Sequence, residues 1–152
     1  NSKKRIFESF TSLDFDVNVM GTLNMTTVFS SKINTNGIII NITSITALIN
    51  NPLIGLYSAS KSALHSLTQA MRAEMSLKNI HVLEVLPGPI DTNMTKGRDM
   101  VKANTFDIVN EIFVGLTNGV NEVYPDDFSK MIKGKLDSDP QGIELEFQKS
   151  LF

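Results

Sequence analysis

A serine, a tyrosine and a lysine fall within one short stretch, I-N-I-T-S-I-T-A-L-I-N-N-P-L-I-G-L-Y-S-A-S-K, residues 40–61. Tyr57 and Lys61 are four apart, one helical turn, so on a helix both side chains project from the same face. Ser44 follows the apolar run of residues 37–42, where a buried strand would end. A strand end, a loop and a helix start can bring a hydroxyl, a phenol and an ammonium together. Those groups suit proton transfer to or from an oxygen atom. A free phenol titrates near about 10, well above a useful working range. Moving it by about three units needs roughly 4 kcal/mol of preference for phenolate. A fixed ammonium one helical turn away can supply part of that.

The elements that must hold these groups are legible in the apolar spacing. Phe7, Phe10, Leu13, Val17, Met20, Leu23, Val28 and Phe29 recur mostly at intervals of three or four. They predict one long helix over residues 7–33, broken near Gly21. Residues 34–37 are a turn cluster. The continuous β-branched run 38–42 predicts a strand buried on both faces. A second helix follows over 57–78, with Ala63, Leu64, Leu67, Ala70, Met71 and Met75 inward. Residues 80–86 read as a second strand, stopped by Pro87-Gly88-Pro89. Residues 91–104 read as a polar, flexible loop that carries Met94 and Met100. A third helix covers 106–116, with Gly119 as its stop. A short strand covers 122–124, and Asp126 and Asp127 read as a turn after Pro125. A last helix begins near Asp139-Pro140. The alternation α-β-α-β-α-β-α places the chain in the α/β class with a parallel sheet. Sites in such sheets lie beyond the carboxyl ends of the strands, where Ser44 and residues 87–92 fall.

Composition narrows the functions further. The 152 residues suffice for one domain at most. A net charge of −2 gives no basic footprint for nucleic acid, and Lys3-Lys4-Arg5 reads as a solvated helix start. There is no cysteine, which excludes disulfides and thiolate metal sites. His65 and His81 read as surface or packing residues, and no metal site is expected. No apolar run is long enough to span a bilayer, and the first residues have no signal-peptide core. The expected location is the cytoplasm, with no membrane partner.

Four segments in register resemble the short-chain dehydrogenase/reductase family. They are V-N-V-M-G-T at residues 17–22, I-I-N-I-T-S at 39–44, Y-S-A-S-K at 57–61 and P-G-P-I-D-T at 87–92. A Y-x-x-x-K alone is weak, whereas four motifs in order are specific. A softer likeness to one bacterial-type branch lies at 122–129 and 139–144. The resemblance implies a partial Rossmann-like doubly wound sheet and an oxidoreductase that interconverts an alcohol and a carbonyl with NAD or NADP. It implies that Tyr57 is the acid/base, that Lys61 lowers the Tyr57 pKa and binds the nicotinamide ribose, and that Ser44 polarises the substrate oxygen. Asn18 would hold a water linking Lys61 to solvent. Pro87, Gly88, Ile90 and Thr92 would line the nicotinamide carboxamide and phosphates, Ile90 through its backbone.

The family's glycine-rich turn T-G-x-x-x-G-x-G, which lets backbone approach a pyrophosphate, does not occur in these residues. Neither does its N-N-A-G segment. Residues 1–152 therefore read as the C-terminal portion of one such domain, beginning as if inside a longer protein. Strand 38–42 would lack its neighbour and present an apolar edge. The chain is thus expected either to continue into a longer protein or to self-associate. The resemblance implies a homo-oligomer through helices 7–33 and 57–78. The alternative reading is a truncated, inactive piece that serves only as an association module.

Overall fold

The structure is a computed structural model and describes residues 11–151. Its centre is a three-stranded parallel sheet in the order β1 (Ile38–Ile42), β2 (His81–Val85) and β3 (Glu122–Val123). Ile38 pairs with His81 and Ile42 with Val85, and Val85 pairs in turn with Val123. Parallel neighbours need long crossovers. α3 (Gly55–Ser76) connects β1 to β2, and α4 (Thr105–Thr117) connects β2 to β3. The predicted α/β class and parallel sheet are therefore present.

One sheet face packs Val82 and Ile80 against Met71 and Met75 of α3, with Ile33, Ile39 and Leu67 alongside. The other face sets Leu83, Val85 and Val123 against Ile112 and Leu116 of α4. A third cluster joins Ile45 and Ile49 to Ile132 and Ile143 of the C-terminal helices. That cluster closes the end of the sheet where Ser44 emerges.

Helix ends follow their caps. α4 starts at Asn104, whose side chain accepts from the Phe106 amide at 2.8 Å, and it ends in a Schellman turn. The amides of Gly119 and Val120 donate to Leu116 and Gly115 carbonyls, at 3.1 and 3.2 Å. Gly119 takes a φ of 64°, as a residue there must. α6 (Pro140–Gln148) begins with Asp139 as cap and Pro140 in the first turn, as expected.

Several expectations change. Residues 7–10 of the first predicted helix lie outside the described residues, as does the Lys3-Lys4-Arg5 cluster. The remainder runs as α1 (Leu13–Phe15), a π-helical stretch (Asp16–Gly21) and α2 (Thr22–Phe29). No break occurs at Gly21; the widened turns absorb the irregularity. β1 is not buried on both faces. Ile38, Ile40 and Ile42 are each more than two-fifths exposed, because strand side chains alternate and β1 is an edge strand among the described residues. Ala70 faces outward rather than inward. Residues 126–127 are no simple turn: they open α5 (Asp127–Ser138), an additional helix.

Candidate active site

β1 delivers Ser44, and α3 presents Tyr57 and Lys61 to it. Ser44 has an extended backbone and caps the short 3-10 turn Ile45–Ala47, its oxygen accepting from the Thr46 amide at 3.1 Å. The Thr46 hydroxyl adds a second bond to it at 3.0 Å. Ser44 is held from across the sheet as well, because the Ile45 amide donates to the Pro87 carbonyl at 2.9 Å. The two predicted segments, 39–44 and 87–92, thus meet at the carboxyl end of the strands.

Lys61 is buried, and its ammonium donates to the Ile42 carbonyl at 3.0 Å. Its Nζ also lies 5.7 Å from the centre of the Tyr57 ring. Burial pulls the Lys61 pKa down. Burial pushes the Tyr57 phenol up, the Ser44 hydroxyl opposes this by hydrogen bonding, and the Asp14 carboxylate adds to the upward push. Burial is thus the largest influence on Tyr57, and the Lys61 ammonium is directed to a backbone carbonyl.

Asn18 sits in the π-helical stretch, a place where such turns frequently mark function. Its amide donates to the Ser60 hydroxyl at 2.9 Å, and that hydroxyl donates to the Tyr57 carbonyl at 2.7 Å. Asn18 thereby touches α3 between Tyr57 and Lys61, through Ser60 rather than through Lys61 itself.

The 87–92 segment is pinned from two sides. The Gly88 amide donates to Asp126 Oδ2 at 2.8 Å. A Cβ on Gly88 would lie 2.7 Å from Asp126 Oδ1 and from Phe128, so glycine is required there. Ile90 forms a parallel bridge with Ala103. Ala103 bonds Pro89 and Asp91 at 2.9 Å each, which turns the Ile90 amide the other way. The Thr95 hydroxyl donates to the Ile90 carbonyl. Thr92 caps the short turn Asn93–Thr95. Met94 and Met100 are exposed on this loop.

Sequence reasoning missed Glu84 and underrated His65. Glu84 is fully buried in β2. It accepts from the Thr43 hydroxyl at 2.8 Å, and both its oxygens lie 3.0 Å from His65 Nδ1. The signal was a lone acid among the apolar residues Val82, Leu83, Val85 and Leu86. His65, Glu84 and Glu122 bring their potential ligand atoms within 4.8 Å of one another. Thr43, His65 and the Arg72 guanidinium at 3.9 Å already surround Glu84, however, and the Tyr124 hydroxyl donates to Glu122 at 2.8 Å. That is a hydrogen-bonded ion cluster.

The family profile described as short chain dehydrogenase matches residues 3–102. The chain belongs to the short-chain dehydrogenase family of oxidoreductases. An uncharacterized oxidoreductase of Staphylococcus saprophyticus is 40% identical over 86 residues, which are 55% of this chain and 37% of that protein. An uncharacterized oxidoreductase of Staphylococcus epidermidis is 32% identical over 118 residues, 71% of this chain and 51% of that one. The chain thus spans about half the length, or less, of these curated relatives. A short chain dehydrogenase from Burkholderia cenocepacia, solved in complex with NADP, matches with a TM-score of 0.87 at 33% identity, over 97% of this chain and 64% of its own. A short chain dehydrogenase/reductase from Burkholderia phymatum, solved with NAD, shares the fold with a TM-score of 0.73 at 18% identity, over 93% of this chain and 62% of its own. Among the described residues no helix is long and apolar enough to cross a membrane.

Proposed function

We propose that this chain carries the acid/base half of an NAD(P)-dependent oxidoreductase that interconverts an alcohol and a carbonyl. The observation that carries the reading is the meeting of Ser44, Tyr57 and a buried Lys61 at the carboxyl end of β1. In this reading the Tyr57 phenol gives a proton to the carbonyl oxygen during reduction and takes it back, as phenolate, during oxidation. Ser44 holds that oxygen in place. Lys61, anchored by one bond to Ile42, keeps further N–H donors for the ribose hydroxyls of a dinucleotide. Asn18 steadies the turn of α3 between Tyr57 and Lys61.

A nicotinamide fits the residues beside this site. The Ile90 amide faces away from its bridge partner and is not used by that bridge. Pro87, Gly88, Ile90 and Thr92 would line the carboxamide and the nearer phosphates. The bound dinucleotide supplies or accepts the hydride. Its class, NAD or NADP, is supported by the cofactors in the Burkholderia structures. The adenosine end needs residues other than these.

A second reading has its own support. β1 leaves its outer edge unpaired among the described residues, with Ile38, Ile40 and Ile42 exposed. A groove of about 560 Å³ lies beside it, lined by Val17, Met25, Phe29, Ile33 and Ile38. Such an edge favours pairing with another chain, as an association module would. Self-association through residues 7–33 and 57–78 belongs to either reading. Coenzyme binding separates the two. The oxidoreductase reading expects saturable quenching when NADH or NADPH is titrated into the natural protein, at micromolar concentration. No binding of either coenzyme would leave the association module as the better account.

A further inference from the structure

We propose that Glu84 is a positioning residue: its buried carboxylate ties Thr43 to His65 and thereby sets the strand end bearing Ser44 against the helix face bearing Tyr57 and Lys61. The inference rests on the oxidoreductase reading only for its catalytic consequence.

The placement follows from two periodicities. Tyr57, Lys61 and His65 are spaced by four along α3 and share one face. Thr43 immediately precedes Ser44. Polar ties then link β1 to α3 one after another. The Asn41 amide donates to the Thr68 hydroxyl at 3.0 Å. The Lys61 ammonium donates to the Ile42 carbonyl at 3.0 Å. The Thr43 hydroxyl reaches His65 through Glu84, at 2.8 Å and 3.0 Å. Ser44 and Tyr57 stand at the open end of this series.

Three observations give Glu84 its weight. Its side chain is wholly shielded from solvent, so its partners are fixed. The His65 ring is held at both nitrogens, Nε2 lying 3.1 Å from Gln69 Nε2 and Nδ1 facing the carboxylate. Burial pushes the Glu84 carboxyl up, and the bonds from Thr43 and His65 oppose that, so its charged form depends on both elements. Arg72, His65, Glu122 and Tyr124 are the titratable and charged groups around it. The Val85 carbonyl lies 3.1 Å from the Thr43 hydroxyl and shares its single proton with Glu84. With Glu84 removed, Thr43 would lose its tie to α3, the one in this series nearest Ser44, while the ladder bonds across the sheet persist.

The test uses the natural protein with Thr43→Val, Glu84→Leu or Glu84→Gln. The readout is the ultraviolet titration of the Tyr57 phenolate, taken as the difference from a matched Tyr57→Phe variant. That subtraction removes Tyr124, the other tyrosine of these 152 residues, and any tyrosine elsewhere in the natural protein. Thr43→Val and Glu84→Leu are expected to raise the Tyr57 midpoint by about half to one pH unit, the equivalent of weakening one hydrogen bond. Glu84→Gln still accepts from Thr43 and leaves the midpoint in place. Where turnover is measurable, kcat falls by about tenfold or more in Thr43→Val while KM holds, as expected of lost orientation. A Tyr57 midpoint unmoved in Thr43→Val overturns the proposal, and that near-isosteric variant decides the matter should Glu84→Leu fail to fold. Absence of turnover in the unaltered protein would overturn the oxidoreductase reading alone, since the titration needs no coenzyme.

Discussion

Tyr57→Phe is expected to lower kcat of the natural protein by about 10³-fold, within the range of about 10²–10⁴ that positioned acid/base groups contribute. The ring and its packing persist, and only the hydroxyl is lost. Lys61 keeps its bond to Ile42 and so keeps its place for a ribose. Coenzyme affinity should therefore change by less than about threefold, a shift of under about 0.7 kcal/mol. The pH dependence follows from the raised Tyr57 pKa. Below that pKa the phenol holds its proton, so it is ready to serve reduction. Reduction should be flat across neutral pH and fall as pH rises through the Tyr57 pKa. Oxidation needs phenolate and should climb with pH toward that same value. Steady-state rates in both directions, with coenzyme binding by fluorescence, check all three statements. Retained turnover in the phenylalanine variant would remove Tyr57 from the role.

Asp126→Ala is expected to cost about 2–4 kcal/mol. Asp126 is buried and does two jobs with one carboxylate. Oδ1 accepts from the Ser129 amide at 2.9 Å and caps α5. Oδ2 accepts from the Gly88 amide at 2.8 Å and fixes the loop after β2. Losing a cap costs about 0.5–2 kcal/mol. Leaving the half-buried Gly88 amide unbonded costs up to about 1–3 kcal/mol more. At about 2–4 °C per kcal/mol for a domain of this size, Tm should fall by about 5–15 °C. Asp126→Asn keeps one acceptor oxygen and should lose about half as much. Thermal unfolding measures the drop, and an unchanged Tm in the alanine variant would contradict the pinned-loop description. The catalytic consequence is a looser 87–92 segment, seen as weaker coenzyme binding in the same variant.

The residues that meet at the end of β1 were legible because their order and spacing carry geometry. A four-residue interval fixes a shared helix face, and an apolar run ending in serine fixes a strand end. α3, α4, β1 and β2 were legible for the same reason. The register of helix hydrogen bonds was not, because apolar spacing cannot distinguish the π-helical stretch around Asn18 from an ordinary turn. The run 38–42 looked buried on both faces because composition reports neighbours that the sheet can accept, whereas β1 is an edge among the described residues. α5 was lost because Asp126-Asp127 after a proline resembles a turn. Its signal was Asp126 followed three residues later by Ser129, a reciprocal cap with serine in place of the usual Glu or Gln. Glu84 went unread because strand periodicity weighs apolar residues and ignores the one charge among them. The direction of the Tyr57 shift was not legible either. It is decided by desolvation and by Asp14, which lies far from Tyr57 in sequence.

The most direct test of the acid/base site is turnover by the natural protein itself. It would be incubated with NADPH, then NADH, and a panel of ketones and aldehydes, and the loss of reduced-nicotinamide absorbance followed against the Tyr57→Phe variant. The site described here predicts loss that depends on the carbonyl compound and on the phenol, with at least one of the two coenzymes. Coenzyme that binds to both proteins yet is consumed equally slowly by both, across the panel, would contradict it.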